Sequence, residues 1–114
     1  MSLETCDILA IEEELVKKIK PKVDKLHGLS ELFKAFSDDT RAKLLYALSI
    51  NELCVCNMAE ILDTTQSNVS HHLRYLRAQR LVKGRRMGRR VYYSLDDEHV
   101  EAIIKQGIEH LNHI

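Results

Sequence analysis

Between Thr64 and Leu95 the chain contains no aspartate or glutamate. The same stretch holds eight cations: Arg74, Arg77, Arg80, Lys83, Arg85, Arg86, Arg89 and Arg90. The chain as a whole has 17 basic and 17 acidic residues, so its net charge of zero conceals a segment of +8 and a remainder of −8. Such segregation marks a polyanion-binding face on an otherwise acidic body. Long apolar runs are missing too, which excludes a helix that spans a bilayer. The amino terminus is acidic through Glu4, Asp7, Glu12, Glu13 and Glu14, unlike a signal peptide. The chain therefore reads as cytoplasmic, with no membrane partner. Its three cysteines are then expected to be thiols or metal ligands rather than disulfides. No nucleophile–base pairing, phosphate loop or hydrolytic zinc motif is present, which argues against an enzyme and against a small organic substrate.

At 114 residues and 45% hydrophobic composition, the chain suits one domain with a small core. Its organising segment is Thr64–Arg77. Thr64, Thr65 and Ser67 are capping candidates, and Val69, Leu73 and Leu76 recur at helical spacing. Gln66, Ser67, Asn68, Ser70, His71, Arg74 and Arg77 occupy the remaining surface. Met58–Leu62 reads as a short helix, separated from the next only by Asp63, Thr64 and Thr65. Two helices across so short a turn form a helix-turn-helix, whose second helix enters a DNA major groove.

Upstream, Ile11, Leu15, Ile19, Val23 and Leu26 follow helical spacing, with Pro21 expected to kink the helix or begin a new one. Leu29, Leu32, Phe33 and Phe36 share the face of a further helix. Ser37–Thr40 then caps a third, which buries Leu44, Leu45 and Leu48. Downstream, Leu81–Arg86 and Arg89–Ser94 flank Met87 and Gly88 as a β-hairpin. Arg85, Arg86, Arg89 and Arg90 make its tip a wing, and four like charges around one turn with no acid nearby are best explained by phosphate contact. Asp96–His113 ends the chain as a helix with Val100, Ile103, Ile104 and Ile108 apolar. A terminal helix with so broad a stripe commonly dimerises, and Gly107 lets a second helix come close. The fold expected is mainly α with a β-hairpin wing, a homodimeric winged helix-turn-helix. Residues 1–10 form a flexible arm carrying Cys6, and residues 11–114 form the domain, with dimerisation helices at both ends.

Two constellations can carry metal chemistry. Cys54 and Cys56 lie two apart at a helix start, where side chains converge if the backbone is not yet helical, and soft thiolates suit Cd, Pb, Zn or Cu(I). The plainer reading is that free cysteine packs as a small hydrophobe. Asp97, His99, His110 and His113 mark the last helix. His99 and His110 are about 16 Å apart along it, too far to share an ion within one chain. Antiparallel pairing of two such helices brings Asp97 and His99 of one chain to His110 and His113 of the other, a four-ligand set suited to Zn. Adjacent His71 and His72 point about 100° apart, so one faces DNA or solvent and the other packs.

Ser37–Arg41 before an apolar helix, Glu52–Cys56, Ser70–Arg74 and the Asp97/His99/His110/His113 set together resemble the ArsR/SmtB metalloregulators, most nearly the CadC-type cadmium/lead/zinc-responsive repressors. The likeness runs from about Cys6 to His113. It implies a homodimer that binds a palindromic operator without metal and releases it when Cd(II), Pb(II) or Zn(II) binds, derepressing a metal efflux or resistance operon. It also implies that Cys6 from the arm joins Cys54 and Cys56 in a thiolate site, and that the terminal-helix set is the zinc-responsive one. Relatives commonly carry a second arm cysteine where this chain has Ala10. A site with three sulfurs favours Pb, or leaves Cd to recruit an oxygen such as Asp7 or water. His113 stands where a carboxylate is often the last ligand. The competing classes are a thiol redox sensor acting through the same cysteines and a constitutive architectural DNA-binder.

Overall fold

Pro21 does not divide the first helix, which runs from Glu13 to Lys25 as α1 (Glu13–Lys25) in a computed structural model that describes residues 11–113. The expected alternative of a new helix at Pro21 is therefore not adopted, although Pro21 can donate no hydrogen bond to the turn before it. Glu13 and Glu14 in the first turn and Lys22 and Lys25 in the last complement the helix dipole. None of the residues of α1 is buried, and Leu15, Val16, Ile19 and Val23 are all exposed. The chain divides into two units, Met1–Ser30 and Glu31–Ile114. The expected arm with Cys6 lies outside the described residues.

After α1 come α2 (Leu29–Phe36), whose first two residues close the first unit, and, within the second unit, α3 (Asp39–Ile50), β1 (Leu53–Cys54), α4 (Val55–Leu62), α5 (Gln66–Ala78), β2 (Val82–Met87), β3 (Arg90–Leu95) and α6 (Glu98–Asn112). Three of these helices, α3, α5 and α6, start on a side-chain cap, whereas α4 follows Cys54 with none. The Asp38 carboxylate accepts the Arg41 N–H at 3.0 Å, and the Thr65 hydroxyl accepts the Asn68 N–H at 3.0 Å. Asp97 caps α6 by accepting the N–H groups of His99 and Val100 at 2.9 and 3.1 Å. Asp63 ends α4 in the left-handed region at φ 52°, and the N–H of Thr64 returns to the carbonyl of Ala59. That reversal is the turn of the helix-turn-helix.

The core joins Leu44, Leu45 and Leu48 of α3 to Met58 and Ala59 of α4 and to Val69, Leu73 and Leu76 of α5, closed by Leu81, Val82, Val100 and Ile104. The apolar spacing of α3 and α5 is fully used. On α2, however, the buried residue is Ala35, while Phe33 remains half exposed, and on α4 Ile61 points outward. The three-stranded antiparallel sheet has the order β1-β3-β2. Met87 pairs with Arg90, leaving Gly88 and Arg89 as a two-residue hairpin turn. Gly88 supplies the positive φ, 63°, that such a turn needs at its first central position. The short strand β1 adds Leu53 opposite Tyr93 and Cys54 opposite Tyr92.

Candidate DNA-reading and metal sites

Along α5, Gln66, Ser67, His71, Arg74 and Arg77 are exposed, while Val69, Leu73 and Leu76 anchor the opposite face. Ser70 and Asn68 are half buried, and the Asn68 amide donates to the Thr64 hydroxyl at 3.1 Å, so part of its capacity is spent on the turn. His71 faces outward and His72 packs, their rings edge to face at 5.8 Å. The Nδ1 of His72 is buried with no protein partner among the described residues.

Arg41 fixes this helix against its neighbours, a role the sequence reading did not assign. Its Nε donates to the Ala35 carbonyl at 2.9 Å and its Nη2 to the Lys34 carbonyl at 3.2 Å, satisfying the end of α2. The same guanidinium lies 4.5 Å from the centre of the Tyr75 ring on α5. The Arg41 N–H in turn is the main reason the Asp38 carboxyl is held below its ordinary range, against the opposing effect of burial.

The wing does not present four equivalent arginines. Cross-strand partners share a face of a sheet and alternate residues change face. The pairs Arg85 with Tyr92 and Cys54 with Tyr92 therefore put Arg85, Tyr92 and Cys54 on one side. Arg90, two residues before Tyr92 on β3, lies on that side too, and the Tyr92 hydroxyl and the two thiols push its pKa up, while Arg86 lies on the opposite side and Arg89 in the turn. The expectation that no acid stands near these cations is corrected by Glu52. Its carboxylate accepts from Arg85 Nη2 at 2.6 Å and from Arg85 Nε at 3.3 Å. Thirty-three residues separate the two in the chain, and only the pairing of β1 with β3 brings them together.

Cys54 is buried at the last residue of β1 and Cys56 is exposed on the first turn of α4. Because the backbone changes from extended to helical between them, their sulfurs converge to 3.4 Å. Two thiolates on one tetrahedral ion, each at about 2.3 Å, sit about 3.8 Å apart, so the pair needs to open by only a few tenths of an ångström. The Cys54 thiol also lies 2.6 Å from Asn57 Oδ1. The Asn57 N–H, opposed by burial and helped by Cys56 and by the charge of Arg90, holds Cys54 below the ordinary thiol range. The donor set thus fits a soft cation, with two protein ligands in place. Among the described residues no group of three potential ligands gathers, and Cys6 is not among them.

On α6, Asp97 Oδ2 lies 3.5 Å from His99 Nδ1, whereas His110 and His113 stand at the other end of the fifteen-residue helix. The structure brings the first pair together and does not bring the second pair to it. Asp97 Oδ1 is already committed to the helix cap. Its carboxyl is lowered chiefly by the Val100 N–H, against burial, with a smaller contribution from His99. Beside this helix, an apolar groove of about 1090 Å³ is lined by residues that include Phe33, Tyr46, Ile103, Gly107, Ile108 and Leu111.

Residues 38–83, which contain α3, α4 and α5, match the bacterial regulatory protein, arsR family. The chain is 44% identical over 109 residues to the transcriptional repressor SmtB homolog of Synechocystis sp., covering 93% of this chain and 83% of that protein. The chain belongs to the arsR family of bacterial regulatory proteins. A second relative in the family, the cadmium resistance transcriptional regulatory protein CadC homolog of Staphylococcus aureus, is 41% identical, with 96% of this chain and 93% of that protein covered. The fold agrees with the solution structure of the homodimeric winged helix-turn-helix DNA-binding domain Mb0332 from Mycobacterium bovis. The TM-score is 0.68 at 25% identity, and 92% of this chain and 95% of that one are covered. As an arsR-family member the chain is a transcriptional regulator and not an enzyme. Among the described residues no helix is long and apolar enough to cross a membrane.

Proposed function

We propose that this arsR-family chain is a cytoplasmic, homodimeric repressor that binds a palindromic operator without metal and leaves it when Cd(II), Pb(II) or Zn(II) binds, derepressing a metal efflux or resistance operon. The observation that carries this reading is the convergence of Cys54 and Cys56 to 3.4 Å at the entrance to the helix-turn-helix. Cys6 supplies the third sulfur of that site. Asp97 and His99 of one protomer with His110 and His113 of the other form a second, zinc-suited site. On the DNA side, Gln66, Ser67, Asn68, Ser70 and His71 meet base edges, while Arg74, Arg77, Arg86, Arg89 and Arg90 meet phosphates. Arg85 belongs to the same phosphate-facing set once its carboxylate partner lets go. The exposed stripe of α1 and the apolar groove beside α6 support association of two copies, as does the homodimeric Mb0332 domain.

Regulation then follows from linkage: metal and DNA favour different dimer geometries, so each weakens the other by the same free energy. Turning a site from 99% bound to 99% free requires about 5.5 kcal/mol of differential binding, which two ions per dimer can share. The test is fluorescence anisotropy of a labelled operator fragment with reduced protein, titrated with Cd, Pb and Zn. Release by Cd or Pb is expected in the wild type and absent in Cys54→Ser. Zn-only release that survives Cys54→Ser moves the switch to α6, and release by an oxidant with no response to metal overturns the reading.

A further inference from the structure

Glu52 stands immediately before β1, two residues ahead of Cys54, and its carboxylate meets Arg85 on the sheet face that also holds Cys54. That face carries Tyr92 in the middle strand and Arg85 in the outer one. Strands are about 4.8 Å apart, so Arg85 reaches across the whole width of β3 to meet Glu52. It arrives with the Nε and Nη2 edge of its guanidinium, the edge shaped for a forked contact to two oxygens. A DNA phosphate presents the same pair of oxygens. The edge cannot serve both.

We propose that Glu52 is an internal stand-in for a DNA phosphate, holding Arg85 off the duplex and setting the basal affinity of the wing. The proposal rests on the reading that the wing arginines contact DNA. Glu52 is a positioning residue, acting through Arg85 and touching no DNA itself. Three features make it suited to a restraint that yields. The pair is exposed, with 57% of the Arg85 side chain and 33% of the Glu52 side chain open to solvent, so it is weak enough to exchange. It is the one ion pair among the described residues that ties the wing to another element. Arg86, Arg89 and Arg90 have no such carboxylate partner in the described ion pairs, so one cation of the wing is withheld while its neighbours are free. Restraint here limits grip on arbitrary sequence, because phosphate contacts carry no base information.

The experiment is anisotropy of a short fluorescein-labelled duplex of arbitrary sequence across a series of salt concentrations, with the full chain as wild type, Glu52→Gln, Arg85→Ala and the double variant. Glu52→Gln is expected to bind about fivefold more tightly per protomer at low salt, the upper end of what an exposed pair withholds. The slope of log K against log salt should steepen by about 0.9 for each new phosphate contact. Both changes should vanish in the Arg85→Ala background. A gain that persists without Arg85 would show a general field effect of the carboxylate and overturn the proposal, as would weaker binding by Glu52→Gln. Arg89→Ala separates the two levels of the argument. If it weakens binding while Glu52→Gln changes nothing, only the restraint is wrong; if neither changes affinity or slope, the wing does not touch DNA and both readings fail.

Discussion

Asp38 shows how one side chain serves both the local helix and the reading head. Its carboxylate satisfies the Arg41 N–H at the start of α3, and the Arg41 side chain in turn closes α2 and stacks on Tyr75 of α5. Asp38→Ala is expected to lower unfolding stability by about 1 kcal/mol, read as the urea midpoint at neutral pH. The pH dependence has a definite sign. Asp38 is held below its ordinary value of 3.8, so it binds fewer protons folded than unfolded at acid pH. Its stabilising contribution is full above that ordinary value and fades as pH falls through the lower folded value. Asp38→Asn keeps a capping oxygen but does not titrate, so its midpoint should fall less steeply than wild type below about pH 4. Parallel acid limbs for the two proteins would refute the assignment.

At the scale of elements, the hairpin strands come closest at a glycine that is not in the turn. A Cβ on Gly84 would stand 3.1 Å from Val91 Cγ1 and 3.2 Å from Tyr93 Cε1, tighter than ordinary contact, so those side chains would have to give by a few tenths of an ångström. Gly84→Ala should therefore lower the thermal midpoint, by an overpacking cost of about 1 kcal/mol. An unchanged midpoint would mean that the Tyr93 ring moves aside freely. The hairpin itself was legible in sequence because alternation and Gly88 between two runs act over a few residues, and α3 and α5 were legible from apolar spacing for the same reason. What stayed hidden acts at a distance. The strand β1 is two residues long, too short to show a period, and with it went the approach of Glu52 to Arg85. Arg41 was read only as part of a family pattern, since nothing local announces that its side chain will bridge α2 and α5. Cys54 and Cys56 were visible as a pair, and their convergence followed from the change of backbone between them. Asp97 was visible as a candidate ligand, whereas its capping of α6 emerges only from the backbone geometry.

At the scale of the whole molecule, the structure leaves apolar surface that a single chain does not cover. Phe33, Tyr46 and Leu111 are each about half exposed or more, and with Ile103, Ile108 and Gly107 they line one groove. A second copy of α6 laid antiparallel along that groove is also what the proposed Asp97/His99 and His110/His113 site requires, so one geometry answers both the apolar face and the split ligand set. Gly107 is the position at which this can be tested without disturbing the protomer. Within one chain, a Cβ there would meet nothing within 4 Å, and alanine is about 1 kcal/mol better than glycine in a helix interior. On intrinsic grounds Gly107→Ala stabilises the protomer. Where a second helix packs against that point, the added methyl instead pushes the two backbones apart and weakens the dimer. The expected result is an inverted pair of effects: higher stability at dilution, where protomers separate, and a larger dissociation constant by sedimentation equilibrium. Zn binding at the inter-protomer site should weaken with the dimer, because its four ligands come from two chains. A dimer as tight as wild type would place the contact elsewhere on the chain and leave Asp97 and His99 without the second pair of ligands.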